Sequence, residues 1–352
     1  MYPIKSERGD LFDVNMIIVM MVRLTGPLSF EKISSAFSAA VSNNEVLNMR
    51  VDLSEEGISS YVENDAPESF IRETDENLDE VRKREEKKRF RIEEGEFIRA
   101  FARKETEEEW ALLFLMHHLG GDGKSLTYFI EDMMKAFSGQ DLTYKKFVPV
   151  DIKEKRIDKI STLLAKYYNR KWSGRVYGWT DLDKAYEVYW KDKETVIDIK
   201  EIPKEEMQEI RNRLHEAGAG FTSYLAALYA KDFDRQVDIG YAVDARSDGN
   251  RSMSNQATGI SVKYRYDRSK DIYTNAKAIQ ELMDKKLEDP KKKFYVLNFM
   301  SLVDSTLVDA VDLVHAGTED DKTAKNFARL LGFTDNKRDI SITNLTVLDI
   351  PD

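Results

Sequence analysis

The hydrophobic positions of this chain change period several times, and each change marks an element. "VNMIIVMMVRL" (Val14 to Leu24) is an apolar, partly β-branched run, the pattern of a strand. In "GPLSFEKISSAFSAAV", Ser29 stands where a helix N-cap belongs, and Ile33, Phe37, Ala40 and Val41 recur at helical spacing. Short strands are predicted around Leu47 to Leu53 and Ile58 to Val62. Asp75 to Arg89 is dense in charge and predicts an exposed helix or loop. "FIRAFARKE" and "EWALLFLM" predict adjacent strands joined by the charged turn "ETEEE". From Lys124 the spacing becomes helical: Leu126, Phe129, Ile130, Met133, Met134 and Phe137 share one face. Between that strand and that helix lies "HHLGGDG".

The stretch from about Leu142 to Ala185 has mixed charge and no clean period, and it reads as a crossover. A second set of α/β elements follows. "ETVIDIKEI" predicts a strand. "PKEEMQEIRNRLHEAG" predicts a helix with Pro203 in its first turn and Gly218 near its end. "FTSYLAALYAKDF" and "SKDIYTNAKAIQELMDKKLED" predict helices; "QVDIGYAVDAR", "ATGISVKYRY" and "DISITNLTVLDI" predict strands. His215 falls in a helical pattern and His315 in a loop-like stretch. The predicted organisation is α/β with mixed sheets: a first unit over 1–150 carrying the histidine turn, a crossover over 151–185, and a second unit over 186–352.

Composition narrows the function. The 352 residues are 41% hydrophobic and 34% charged, as in a globular protein with a core. A formal net charge of −10 argues against nucleic acid as the main partner, because phosphate recognition needs a basic face. No apolar run is long enough to span a bilayer. Cysteine is absent, which removes disulfides, thiolate metal sites and a Cys nucleophile. The expected setting is the cytoplasm.

With four histidines in the chain, two adjacent ones are a signal. Consecutive residues of a strand point to opposite faces, so His117 and His118 do not readily hold one metal ion. Gly123-Lys124-Ser125 invites a P-loop reading, but His118 stands where that motif needs glycine, and Asp122 puts a carboxylate where bare backbone would cradle phosphate. Two histidines that merely satisfy hydrogen bonds at a strand end would be a third reading.

The fourth is a resemblance. "HHLGGDG" is similar to His-His-x-x-x-Asp-Gly, the signature of an acyltransferase superfamily. Its members include condensation domains of nonribosomal peptide synthetases, alcohol O-acetyltransferases, wax-ester synthases and, more distantly, chloramphenicol acetyltransferase. "LTGPLSFEKISSAFSAAVSNNEVLNMRV" resembles the family's opening, although Asn44 to Met49 replaces its usual histidine and arginine context. "RFRIEEGEFIRAFARKE" resembles the strand pair before the motif. "YAVDARSDG" resembles a strand ending in arginine. "DISITNL" resembles a late Ser-Asn-Leu-Gly strand, with Thr343 for the serine and Thr346 where glycine is common.

The resemblance implies two chloramphenicol-acetyltransferase-like lobes in a pseudo-dimer with a tunnel between them, the second lobe shortened. It implies an acyltransferase that moves an acyl group from a thioester to an alcohol or amine, with no covalent acyl-enzyme. His118 would be the general base, and His117 would pack the turn. Asp122 would turn from the substrate and pair with Arg246 of the second lobe. Gly121 and Gly123 would let the backbone turn beside substrate, and Thr343 and Asn344 would donate hydrogen bonds to the oxyanion or acceptor. No permanently bound cofactor or metal is implied. The co-substrate is acyl-coenzyme A or a phosphopantetheine-linked acyl group; the partners are a small-molecule acceptor and an acyl or peptidyl carrier protein. A catalytically inactive binding or scaffolding protein on the same fold is the alternative.

Overall fold

The computed structural model describes residues 1–66, 68–150, 157–333 and 339–345. In chain order the first elements are β1 (Tyr2–Pro3), β2 (Ile17–Thr25), α1 (Phe30–Ser42), β3 (Met49–Leu53), β4 (Ser59–Glu63), β5 (Phe70–Glu73), α2 (Leu78–Glu85), β6 (Ile98–Thr106), β7 (Glu109–His117) and α3 (Gly123–Phe137). Strand β7 is the apolar run before the motif. It is buried from Trp110 to His117 because it lies inside a four-stranded sheet of order β2-β7-β6-β5. Its antiparallel register with β2 pairs Ile17 with His117, so the first motif histidine is the last residue of the ladder. Helices α1 and α3 pack against each other, with Phe129 of α3 edge-on to Phe37 and Phe114. Ser29 caps α1 by accepting from the Lys32 N–H, as its sequence position predicts. A small sheet, β1-β4-β3, lies beside this unit.

Helices α4 (Lys159–Lys171) and α5 (Trp179–Trp190) follow. Then come α6 (Lys204–Ala217), α7 (Phe221–Lys231), β8 (Val237–Asp244), β9 (Ala257–Tyr264) and α8 (Ile272–Leu287). The chain goes on through α9 (Pro290–Lys293), α10 (Tyr295–Met300), α11 (Ser305–Ala316), α12 (Lys322–Leu331) and β10 (Ile340–Ile342). Strands β10, β8 and β9 form a third sheet, β10 parallel and β9 antiparallel to β8. Leu214, Ala226, Ala230, Ile239, Val262 and Ile279 are among the residues of its separate core.

Four expectations are corrected. The cores divide the chain differently from 1–150 and 186–352. Ala165, Leu182, Trp190, Phe299, Leu307, Val311 and Phe327 all belong to the first core, so α4, α5 and α10 to α12 pack there. His315 is in helix α11, not a loop. "ETVIDIKEI" forms no ladder among the described residues, and Val196 and Ile199 are exposed. The segment from Asp75 to Arg89 is not simply exposed. Arg82, Glu85, Glu86 and Arg89 are buried, because Arg82 pairs with Glu86 at 2.6 Å and Arg89 with Glu93 at 2.6 Å.

Candidate functional site

The motif turn is held from both sides. His118 N–H donates to the Met16 carbonyl at 3.1 Å, and His117 N–H to Phe97 at 2.9 Å. The Gly120 and Gly121 N–H groups fold back onto the His117 carbonyl. None of the motif glycines has positive φ. Space, not backbone conformation, requires them, which amends the turn-based expectation. A Cβ on Gly121 would stand 2.7 Å from Met116 Sδ and 2.7 Å from Ser125 Cβ; one on Gly123 would meet Leu345 at 2.9 Å. Gly121→Ala is therefore expected to cost about 1–3 kcal/mol, the usual penalty of overpacking. Urea unfolding of the variant checks this, and an unchanged midpoint would contradict it.

The two histidines have different surroundings. His117 is buried; its ring lies edge-on to Phe90, and its Nδ1 accepts from the Leu119 N–H at 3.1 Å. Burial, helped by the charges of His118, Arg99 and Arg89, lowers its pKa to about 3. A depressed histidine stabilises the fold fully above its unfolded value near 6.5, and that contribution fades as pH falls from there toward 3. His117→Gln keeps an acceptor but cannot charge. The stability of wild type relative to this variant should therefore shrink between pH 8 and pH 5 in denaturant titrations. A difference independent of pH would mean that His117 is not a buried neutral ring.

His118 is partly buried, and its Nδ1 is enclosed with no hydrogen-bond partner among the described residues. Burial lowers its pKa, opposed by the charges of Asp122 and Asp13. The ring is thus held in its neutral form at neutral pH, the state a general base needs.

Asp122 is fully occupied elsewhere. It is the N-cap of α3: Oδ1 accepts from the Ser125 N–H at 2.8 Å and from the Ser125 hydroxyl at 3.1 Å. Oδ2 accepts from the Gln256 N–H at 3.0 Å. Arg246 Nη1 lies 2.8 Å from Oδ2, and Nη2 lies 3.0 Å from Oδ1. Both partners are almost completely shielded, with side chains 3% and 7% exposed. Burial alone would lower the arginine pKa, but Asp122 and then Asp244 raise it overall. The pairing that the resemblance implies between Asp122 and Arg246 is therefore present, and it leaves no Asp122 oxygen free to orient His118.

Residues that sequence reasoning missed complete the junction. Ser254 bridges to Gly121, donating its N–H to the Gly120 carbonyl at 3.0 Å, and Ser125 Oγ donates to the Ser254 carbonyl at 3.2 Å. Ser254 is the one non-glycine residue with positive φ (82°) among the described residues, a conformation that costs energy and is kept where surroundings impose it. Nothing in "SMSNQ" announces it. Thr343 and Asn344 are exposed, and Asn344 Nδ2 bonds to Thr222 Oγ1 at 2.9 Å; their neighbour Leu345 stands against the motif at Gly123. Thr346 lies outside the described residues. Asn44, one of the departures from the family pattern, is buried and donates to the Ala40 carbonyl and Asp132. A cavity of about 780 Å³ between α2 and α5, lined by Arg72, Lys87, Arg89, Arg91 and Trp190 among others, includes no motif residue. No cluster of His, Asp and Glu among the described residues could hold a metal ion.

Known proteins share this architecture. The condensation domain of the Monacolin K polyketide synthase superposes with a TM-score of 0.57 at 12% identity, covering 84% of this chain and 75% of that one. The first condensation domain of the calcium-dependent antibiotic synthetase, in complex with a substrate analogue, gives 0.58 at 14% identity, with 84% and 75% covered. Polyketide synthase associated protein 5 from Mycobacterium tuberculosis gives 0.57 at 13%, with 88% and 77% covered. The fold is thus that of condensation domains, with mixed helices and sheets. Residues 15–161, which contain the histidine turn, match the family model for the Condensation domain. A 150-residue stretch is 26% identical to surfactin synthase subunit 1 of Bacillus subtilis (strain 168); it takes in 40% of this chain and 4% of that protein, so the chain spans a small fraction of the curated relative's length. The resemblance read from "HHLGGDG" is borne out in the fold and in the match of residues 15–161 to the Condensation domain model. No helix among the described residues is long and apolar enough to cross a membrane.

Proposed function

We propose that this protein transfers an acyl group from a coenzyme A or carrier-protein thioester to an alcohol or amine, with His118 as general base. The observation that carries the reading is the state of His118. Its ring is partly buried, uncharged at neutral pH, free of any bond to Asp122, and fixed on a turn whose aspartate is locked to Arg246. A neutral imidazole takes the acceptor's proton as its oxygen or nitrogen attacks the thioester carbonyl. It returns the proton to the departing sulfur as the tetrahedral intermediate collapses. No nucleophile of the protein needs to be acylated. Thr343 and Asn344 are the proposed oxyanion or acceptor donors, and Gly121 and Gly123 keep the backbone close to the reacting groups.

The test is purified protein with acetyl- and longer acyl-coenzyme A, or an acylated carrier protein, and a panel of alcohols and amines, read by thiol release. Acceptor-dependent release with a matching acylated product is expected. No release above the uncatalysed rate with any donor would leave the binding or scaffolding reading in its place.

A further inference from the structure

Beside His118 lies a group of carboxylates that the acyl-transfer chemistry does not use. Glu7, Asp10 and Asp13 come from the segment before β2; Asp309 and Asp312 come from α11. All five are buried. The one cation set among them, Arg8, is committed to Asp309, with Nε to Oδ1 at 2.6 Å, and to Ser59 at 2.5 Å. The group adjoins the motif turn by direct contacts. Asp10 accepts from Asn255 Nδ2 at 2.9 Å, and Asn255 follows Ser254, which bridges Gly121. Asp13 is three residues before Met16, whose carbonyl holds the His118 N–H, and its charge acts on the His118 ring.

This group is short of positive charge. Asp312 Oδ2 is enclosed with no hydrogen-bond partner among the described residues, on a residue only 3% exposed. Burial pushes Asp10 up to about 7, and it raises Asp13 and Asp312 as well. An ionised carboxylate buried without a partner is costly, so the cluster favours a ligand that brings positive charge and N–H donors. The carboxylates do not converge in a way that could hold a metal ion. An ammonium group, with three N–H donors and no need of a fixed ligand shell, matches them better.

We propose that Asp10, Asp13 and Asp312 anchor an ammonium group, and that the acceptor is a molecule carrying one beside its nucleophile, as an amino alcohol or diamine does. The inference rests on the acyl-transfer reading for its chemistry. The anchored ammonium stays protonated. The acceptor's other group, a hydroxyl or a neutral amine, attacks the thioester carbonyl. One O–C or N–C bond forms, the C–S bond breaks, and the nucleophile's proton passes through His118 to the sulfur.

Two measurements test it. Acetyl-coenzyme A turnover is compared for 4-amino-1-butanol, 1-butanol and 4-hydroxybutyrate, which share a hydroxyl end and differ at the other. A kcat/KM higher by about tenfold or more for the amino alcohol is expected, the worth of one charge-assisted hydrogen bond. Asp13→Asn and Asp10→Asn should each shrink that ratio; the Asp10 variant can still accept from Asn255, so it should remain folded, as circular dichroism would verify. Independently of turnover, isothermal titration should show 1,4-diaminobutane binding to wild type more tightly than 1,4-butanediol, and losing that advantage in both variants. Equal binding of diamine and diol, or a diamine advantage that survives both substitutions, would overturn the anchor even if transfer is observed. Diamine binding without thiol release from any donor would sink the acyl-transfer reading and leave the ammonium site standing.

Discussion

His118→Ala is expected to lower acyl transfer by a factor of about 10² to 10⁴, the usual loss when a positioned general base is removed. The variant should remain folded. The ring is only partly buried, its Nδ1 bonds to nothing among the described residues, and what holds the turn is the His118 backbone N–H, which alanine keeps. The prediction distinguishes the two histidines. His117 accepts from Leu119 and packs on Phe90, so its loss should appear first in stability. Circular dichroism with thiol-release kinetics on both variants checks the division. Wild-type transfer by His118→Ala would mean that the base is wrongly assigned or that the reaction needs none.

The second large effect belongs to Asp122 and Arg246. Removing one member of a buried pair strands the other, at a cost of about 3–5 kcal/mol. Asp122→Ala should sit at the upper end, because the carboxylate also caps α3 and accepts from the Gln256 N–H. Arg246→Ala should cost less than Asp122→Ala, since Asp122 keeps Ser125 and Gln256, and Asp244 keeps Lys124 at 2.6 Å. Asp122→Asn should be milder than alanine: one amide oxygen can serve the cap and the guanidinium, while the Gln256 N–H loses its acceptor. The double alanine variant should lose less than the sum of the singles, because no charge is left alone. Strictly additive losses in melting temperature or unfolding free energy would show that the two side chains do not interact.

The histidine turn was readable because its neighbours follow clean rules. Strand β7 is buried throughout and is one apolar run; α3 buries one face and shows one stripe. Helix α11 broke the same rule. Residues 306 to 313 are all buried, so its hydrophobic positions carry no stripe, and its valines imitate a strand. In "ETVIDIKEI" the strand pattern is present but no partner strand is seen among the described residues. Around α2, dense charge suggests solvation, whereas Arg82, Glu86 and Arg89 are buried in ion pairs. The pairing of Asp122 with Arg246 came from the resemblance, not from spacing. The buried pair of Arg8 and Asp309 is invisible for a simpler reason: its members are 301 residues apart in sequence, and the fold of α11 onto the first core joins them.

The most direct test of direct transfer at His118 is a pre-steady-state thiol-release trace, recorded with and without acceptor at stoichiometric enzyme. The account predicts no release above the uncatalysed rate without acceptor. With acceptor, it predicts release matched one for one by acylated product, and an unmodified protein mass throughout. A burst of thiol without acceptor, accompanied by an acylated protein, would contradict it.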